Sequence, residues 1–218
     1  MNLISMLNSV LSADLAIDIG TDTTRIFLKE GGIVLKEATM IAVDKNSRRI
    51  VAVGNDARQM LGKAPRTVEI IKPVSSGVIA DFEQARQMLR RFIEKVCKKT
   101  VLKPRAAVSV PCAVTEVEKK AFIQLLQASG AREVFIIEEP VAAAAGAGCD
   151  VSLARGMLVA DIGAGRSDIA SISLGHAVIK RSVTTAGEAF DDLDDPALYD
   201  ILILIRDEMV KHVGIKGF

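Results

Sequence analysis

The sequence predicts an α/β fold with a largely parallel or mixed sheet, because strand-like and helix-like segments alternate along its 218 residues. Hydrophobic residues make up 50% of the chain and charged residues 25%, which is the composition of a globular protein with a buried core. A strand–turn–strand pattern near the N-terminus also recurs after residue 156, which indicates two related halves. The length allows one large domain or two small ones.

The first part of the chain predicts a β-hairpin followed by further strands. The apolar run DLAIDIG (14–20) ends in glycine, and RIFLK (25–29) follows after four polar residues. The segment GIVLKEATMIAV (32–43) predicts one continuous third strand. RRIVAVG (48–54) predicts another strand, followed by a short helix that ends at Gly62.

Two longer helices are predicted in the middle of the chain. Residues 81–99 place apolar side chains at helical spacing along one face. AAVSVP (106–111) then predicts a buried strand. Thr115 and Glu118 form a capping box that begins a second helix, and Gly130 ends it.

The remaining segments predict a second set of strands. EVFIIEEP (133–140) is a strand pattern, and VAAAAGAG (141–148) is a helix of small residues. GMLVADIG (156–163) and SDIASISL (167–174) repeat the pattern of the opening hairpin. A third strand, AVIKRSVTT (177–185), follows them.

Composition excludes several classes of function. The net charge of +1, the absence of Trp and the single Tyr argue against a nucleic-acid-binding surface. Cys97, Cys112 and Cys149 form no CxxC pair, which excludes a disulfide scaffold and a thiolate zinc site and fits a reducing cytosol. His176 and His212 lie in no GxSxG or HExxH pattern, so a triad hydrolase or zinc protease is a poor interpretation.

The N-terminal segment 1–13 has an amphipathic pattern. Its aliphatic residues share one helical face, and polar residues occupy the other. Residues 1–11 therefore predict either a helix that lies on a membrane surface or a helix that packs on its own domain. The segment contains no Lys or Arg, so it is a poor signal peptide and would gain no attraction from anionic lipid.

The most informative feature is an internal repeat. DIGTDTTRIFLKEGGIVLK (18–36) aligns with DIGAGRSDIASISLGHAVIK (161–180), and each copy reads as strand, tight polar turn, strand. Glycines and hydroxyl residues in such a turn offer N–H and O–H donors to phosphate oxygens, so two hairpins would grip a polyphosphate. Two ordinary hairpin turns are the alternative. The candidate phosphate-binding residues are Gly20, Thr21, Asp22, Thr23 and Thr24 in the first copy and Gly163, Ala164, Gly165, Arg166 and Ser167 in the second.

An aspartate ends the first strand of each copy. Asp18 and Asp161 carry negative charge, so neither favours direct contact with phosphate. We expect them to hold Mg²⁺ instead, through its water ligands.

Several stretches resemble one known family. They include IDIGTDTTRIF, GGIVLKEATMIAV, IKPVSSGVIADFE, GAREVFIIEEPVAAAAGAG and LVADIGAGRSDIASISLG, and they run almost continuously from residue 14 to about residue 191. The sequence resembles the MreB/Mbl family of bacterial actin homologues, which determine rod shape. That family belongs to the actin–Hsp70–sugar kinase superfamily.

The resemblance implies an actin-like (RNase H-like) ATPase fold of the α/β class, with the first domain and the beginning of the second. It places the first domain at 14–145, with a small inserted subdomain at about 34–66. The start of the second domain, with the second phosphate hairpin, is at 146–192. Similarity to the family fades after this point, and the residues at 193–218 themselves predict a divergent C-terminal helix.

The resemblance also implies the roles of particular residues. The Glu of the EEP segment, Glu139, would orient the water that attacks ATP, whereas the residues alone also allow a surface Glu in a loop. Thr23 stands where the family usually has Asn. Arg166 stands at a Thr implicated in γ-phosphate sensing, so we expect ATP and Mg²⁺ binding with weak or absent ATPase activity.

The implied function is that of an actin-like cytoskeletal protein. It would bind ATP and form membrane-associated filaments at the inner face of the cell membrane, in the cytoplasm, that govern cell shape and wall synthesis. Its partners would be further copies of itself or longer homologues, the membrane through residues 1–11, and the cell-wall synthesis machinery, with no nucleic acid. The alternative is a truncated or degenerate, non-polymerising homologue that acts as a regulator or partner of longer filament subunits. A sugar kinase or Hsp70-like chaperone ranks third.

Overall fold

The structure, a computed structural model, describes residues 12–29, 31–98 and 100–190. The amphipathic segment 1–11 and the predicted C-terminal helix at 193–218 lie outside these residues. The described chain forms two compact units. The first unit contains the residues up to Val110 together with Thr115–Ile136, and the second contains Pro111–Val114 together with the residues from Ile137 onward.

The first unit is built around a mixed sheet of five strands. Five further strands of this unit form two smaller sheets. In chain order the strands are β1 (Asp14–Ile19), β2 (Thr23–Leu28), β3 (Gly32–Ala38), β4 (Ile41–Asp44), β5 (Ile50–Val53), β6 (Val68–Ile71), β7 (Val74–Ser75), β8 (Val78–Ile79), β9 (Arg105–Val110) and β10 (Glu133–Glu138). The sheet order is β10-β9-β1-β2-β3. Strand β1 pairs antiparallel with β2 and parallel with β9, so the predicted mixed sheet is present.

Helices α1 (Asn55–Gln59), α2 (Phe82–Val96) and α3 (Glu116–Ala128) complete the first unit. Helix α2 begins where the Asp81 carboxylate accepts the N–H of Gln84 at 3.0 Å. Helix α3 begins at the predicted capping box, in which Thr115 and Glu118 bond reciprocally. Both helices bury apolar faces, which form the core of this unit together with the buried side chains of its strands.

The prediction of one continuous strand over 32–43 is wrong. Strand β3 ends at Ala38 and β4 begins at Ile41, in a separate three-stranded sheet of order β5-β4-β6. The break falls at Thr39, whose N–H and hydroxyl donate to the carbonyls of Asp22 (2.9 Å) and Gly20 (2.7 Å) in the first turn. The small sheet has its own apolar cluster, formed by Ala38, Met40, Ala42 and Ala57 with Ala52, Met60, Val68 and Ile70.

The second unit is a three-stranded antiparallel sheet with a helix on one face. Its elements are α4 (Glu139–Gly146), β11 (Met157–Ile162), β12 (Ser167–Ser173), β13 (His176–Val183) and α5 (Gly187–Phe190). Helix α4 packs Val141 and Ala144 against Ala170 and Ile172 of β12. It therefore belongs with the second unit, whereas the predicted boundary at residue 145 puts it in the first domain.

Glu139 and Pro140 begin helix α4, although the sequence pattern extends the preceding strand over them. Proline is favoured in the first turn of a helix because its missing N–H needs no partner there. None of the helices among the described residues has the length and apolar character that crossing a membrane requires.

Candidate functional site

The two copies of the repeat form hairpins with the same register. In the first, the strand ladder ends at the pair Ile19–Thr24. In the second, it ends at the pair Ile162–Ser167. The residues between these pairs form the two polar turns that the alignment predicted.

Each turn is closed by the same backbone hydrogen bond. The Gly20 N–H donates to the Thr23 carbonyl at 3.2 Å, and the Gly163 N–H donates to the Arg166 carbonyl at 2.9 Å. A Cβ at Gly20 would lie 2.8 Å from the Thr23 carbonyl oxygen, and a Cβ at Gly163 would lie 3.1 Å from the Arg166 carbonyl oxygen. The first turn therefore requires glycine for steric reasons, and the second has room for a side chain only after a small shift of the backbone.

The threonine hydroxyls of the first turn have partners within the first unit. Thr21 is buried and accepts the N–H of Gly77 at 3.2 Å. Thr24 is fully buried and shares a hydrogen bond of 2.9 Å with Thr39. Thr39 donates its own proton to the Gly20 carbonyl, so Thr24 is the donor in their bond and its hydroxyl proton is not available to a phosphate. Thr21 accepts in its bond and therefore keeps a proton that it can donate.

An ion pair holds the middle of the first turn. The Arg58 guanidinium donates to the Asp22 carboxylate at 2.5 Å and to the Asp22 carbonyl at 2.9 Å. Partial burial raises the pKa of Asp22, but the hydrogen bonds from Arg58 and Thr23 outweigh it and hold this pKa below its usual value of 3.8. Asp22 is thus a structural anchor of the turn, and no feature of the sequence identified Arg58 as its partner.

The two candidate metal-binding aspartates lie at matching positions in the two copies. Asp18 accepts a hydrogen bond from Arg25 at 2.9 Å and one from Ser109 at 3.3 Å. Asp161 is half-buried and has a polar partner of its own. Since no group of three or more His, Cys, Asp or Glu side chains in the described part of the chain could hold a metal, Mg²⁺ here would need water or phosphate as further ligands.

The second turn is fixed by the start of helix α5. The N–H groups of Gly187 and Glu188 donate to the carbonyls of Gly163 (3.0 Å) and Ala164 (2.7 Å). The hydroxyl of Ser167, which is fully buried, donates to the Thr185 carbonyl at 2.8 Å. These bonds hold the peptide planes of the turn in a defined orientation.

A buried polar cluster lies beside the second turn. Arg166 Nη1 donates to Ser182 Oγ at 3.2 Å, and the Ser182 hydroxyl bonds to the carboxylate of Asp168. Asp168 is only 1% exposed and also accepts the Cys112 N–H at 3.1 Å. Burial and the neighbouring Asp168 charge raise the pKa of the Cys112 thiol to about 12, so this cysteine is a neutral thiol. Sequence reasoning missed Asp168, because its partners are far away along the chain.

Glu139 is the first residue of helix α4, directly after an anchored neighbour. Lys180 of β13 donates to the Glu138 carboxylate at 2.6 Å, which ties the start of the helix to the sheet. Glu139 is half-buried and has a polar interaction of its own. The second unit therefore contains Glu139 and the second turn, and the first unit contains the first turn.

Comparison with known proteins identifies the family. A family model for "MreB/Mbl protein" matches residues 12–215. The cell shape-determining protein MreB of Escherichia coli K12 is 44% identical over 189 residues, which are 84% of this chain and 54% of that protein. The cell shape-determining protein Mbl of Bacillus subtilis 168 is 43% identical over 209 residues, 95% of this chain and 63% of that protein.

Solved structures agree with this identification. MreB5 of Spiroplasma citri bound to ADP matches with a TM-score of 0.77 and 30% identity, over 94% of this chain and 59% of that chain. The same protein bound to AMPPNP matches with a TM-score of 0.76 and 31% identity, over 94% of this chain and 58% of that chain. The predicted α/β actin-like fold is confirmed.

The chain belongs to the MreB/Mbl family. It spans between about half and two thirds of the length of the curated relatives that it matches.

The two turns have the chemistry that a nucleotide phosphate requires. Each turn lies beyond the end of its strand ladder, and its backbone amides other than the glycine N–H that closes it would be the donors to a phosphate. The second turn adds the guanidinium of Arg166, which is a donor suited to phosphate. The residues present therefore fit the phosphates of a nucleotide.

Proposed function

We propose that this chain is an ATP-binding, actin-like subunit of the cytoskeleton that governs cell shape. The observation that carries the proposal is the pair of glycine-closed turns with the same register and the same closing hydrogen bond. Two such turns supply phosphate donors, and the family relatives named MreB and Mbl are cell shape-determining proteins. The ADP and AMPPNP bound to MreB5 support a nucleotide as the ligand.

Mg²⁺ is proposed as the companion of the phosphates. Asp18 and Asp161 are each proposed to hold it through water, and the metal would neutralise phosphate charge near the carboxylate. Glu139 is proposed to position the attacking water. Arg166 takes the place of a small hydroxyl residue, so we propose that hydrolysis is slow or absent.

Nucleotide binding is tested by calorimetry with the full chain. We expect MgATP and MgGTP to bind with similar affinity and MgADP more weakly, because the donors identified in both turns are suited to phosphate rather than to a base. Removal of Mg²⁺ with EDTA should weaken all three. Absence of binding would refute the proposal, and tight, strongly adenine-selective binding would refute its phosphate-dominated form.

Self-association into filaments is proposed from family membership. Sedimentation of the full chain with ATP, with ADP and without nucleotide tests it directly. We expect more pelleted protein with ATP than without nucleotide. Equal sedimentation in all three conditions would favour the non-polymerising alternative.

Attachment to the inner face of the cell membrane is proposed to use residues 1–11. The structure supports this placement at the point where that segment joins the first unit. The Ser12 hydroxyl donates to the Lys103 carbonyl at 3.2 Å, and the adjacent Val101 and Leu102 are 75% and 50% exposed. Ser12, the residue that follows this segment, is therefore bonded next to two exposed apolar side chains, which we propose would contact the same lipid surface.

The role of these side chains is tested by flotation with liposomes. Val101→Asp should reduce flotation, because a charge would enter the apolar layer. Val178→Asp is a matched control, since Val178 is 66% exposed but lies in strand β13 of the second unit. Equal flotation of both variants and wild type would show that Val101 does not contact the membrane.

A further inference from the structure

Arg166 is the residue at which this chain departs from the family's usual threonine, and the structure gives it a support. Its Nη1 donates to the Ser182 hydroxyl at 3.2 Å. That hydroxyl in turn bonds to the Asp168 carboxylate, which also accepts the backbone N–H of Cys112. All four residues belong to the second unit.

The donor and the acceptor of each hydrogen bond in this cluster follow from the chemistry of the groups. A serine hydroxyl has one proton to donate and lone pairs to accept, so Ser182 accepts from the guanidinium and donates to the carboxylate. Asp168 is 1% exposed, so water cannot compete for that proton. The carboxylate therefore fixes the rotation of the hydroxyl, and the oriented lone pair of the hydroxyl fixes the guanidinium.

The first hairpin has no counterpart of this arrangement. Thr23 occupies the position of Arg166, and Arg25 occupies the position of Asp168. Arg25 donates a hydrogen bond to Asp18, its partner on the neighbouring strand. The support is thus a feature of the second turn and of the arginine it carries, rather than a general property of the hairpins.

We propose that Asp168 is a positioning residue that acts through Ser182 to hold the Arg166 guanidinium ready for a nucleotide phosphate. This inference rests on the proposed nucleotide binding. A long arginine side chain loses rotamer freedom when it binds an anion, and a side chain already held in place loses less. Arg166 thereby becomes a preorganised phosphate ligand instead of an obstruction.

The test is a double-mutant cycle in the dissociation constant for MgATP, measured by calorimetry. We expect Arg166→Ala to weaken binding about tenfold or more, the scale of one charge-assisted hydrogen bond. Ser182→Ala should weaken it about threefold to tenfold in the wild-type background and less than about twofold in the Arg166→Ala background. Ser182→Thr keeps the hydroxyl and should restore near-wild-type affinity.

Two controls separate positioning from general damage. Ser171→Ala removes a hydroxyl from the same strand as Asp168, and it should leave the affinity unchanged. Arg155→Ala removes an exposed arginine of the second unit outside the turn, and its effect should be less than about twofold. Asp168→Asn should shift the affinity in the same direction as Ser182→Ala.

The outcomes distinguish the two levels of the proposal. Equal losses from Ser182→Ala in both backgrounds would show a merely structural role and overturn the inference. No loss in either background would also overturn it. If wild type binds no nucleotide, both the proposed function and this inference are refuted. If wild type binds nucleotide but the effects of the Arg166 and Ser182 substitutions are additive, only this inference is refuted.

Discussion

Gly20→Ala is the sharpest perturbation of the first turn. The backbone of Gly20 does not lie in the left-handed region, so the objection to a side chain there is contact rather than conformation. The added Cβ would sit 2.8 Å from the Thr23 carbonyl oxygen, the same oxygen that accepts the Gly20 N–H. The turn must therefore open, which weakens its closing hydrogen bond.

The structure sets the expected size of the effect. Forcing an extra methyl group into a tightly packed site costs about 1–3 kcal/mol, and the weakened hydrogen bond falls within that range. Gly163→Ala should cost less, because its Cβ would lie 3.1 Å from the corresponding oxygen and a small shift relieves the contact. Gly146→Ala meets no atom within 4 Å in helix α4 and should stabilise the protein by about 0.5–1 kcal/mol.

The three variants are compared by thermal unfolding and by calorimetry with MgATP. We expect Gly20→Ala to lower Tm and to weaken binding about tenfold, Gly163→Ala to do both to a smaller degree, and Gly146→Ala to leave binding unchanged. Wild-type stability and affinity in Gly20→Ala would refute the argument. A larger effect from Gly163→Ala than from Gly20→Ala would also contradict it.

Three further predictions concern the membrane, hydrolysis and acid stability. Deletion of residues 1–11, or Leu7→Glu, should abolish liposome flotation, and flotation of wild type should be nearly independent of lipid charge; equal flotation of all three proteins would refute the anchor. Arg166→Thr should raise the rate of ATP turnover, measured by phosphate release. Glu139→Ala should lower any turnover that wild type shows by about 10²-fold or more. Unchanged rates in these variants would refute the two roles. Because its hydrogen-bonded partners hold the pKa of Asp22 below 3.8 in the folded state, its stabilisation is complete above the unfolded-state pKa and is lost as the pH falls through the folded-state pKa. The urea midpoint should therefore fall more steeply below about pH 3.8 in wild type than in Asp22→Asn, and parallel profiles would contradict this.

Local patterns in the sequence predicted most of the fold. The capping box at Thr115 and Glu118 is present, because its two partners are only three residues apart. The repeat predicted two hairpins with one register, since alternation and a glycine at the turn are local signals. The strand over 32–43 failed because its break depends on Thr39 bonding back to the first turn, which is a tertiary contact.

For the candidate site, too, local signals could be predicted from the sequence and long-range contacts could not. The turn residues were identified from the sequence because the repeat puts them in two matched copies. The partners that hold them were not, because Arg58 is 36 residues from Asp22 and Cys112 is 56 residues from Asp168. Hydroxyls expected to donate to phosphate, such as that of Thr24, are instead buried on protein partners, a preference that no local pattern reveals.

We propose that each of the two glycine-closed turns binds nucleotide phosphate, and the proposed function depends on this point. Hydrogen–deuterium exchange of the full chain with and without MgATP tests it most directly, with the peptides covering 20–24 and 163–167 as readouts. We expect exchange to slow in both, while the peptide covering the turn at Leu174 and Gly175, which joins β12 and β13, stays unchanged. Protection of one turn only, or of neither under conditions that saturate binding, would contradict the account.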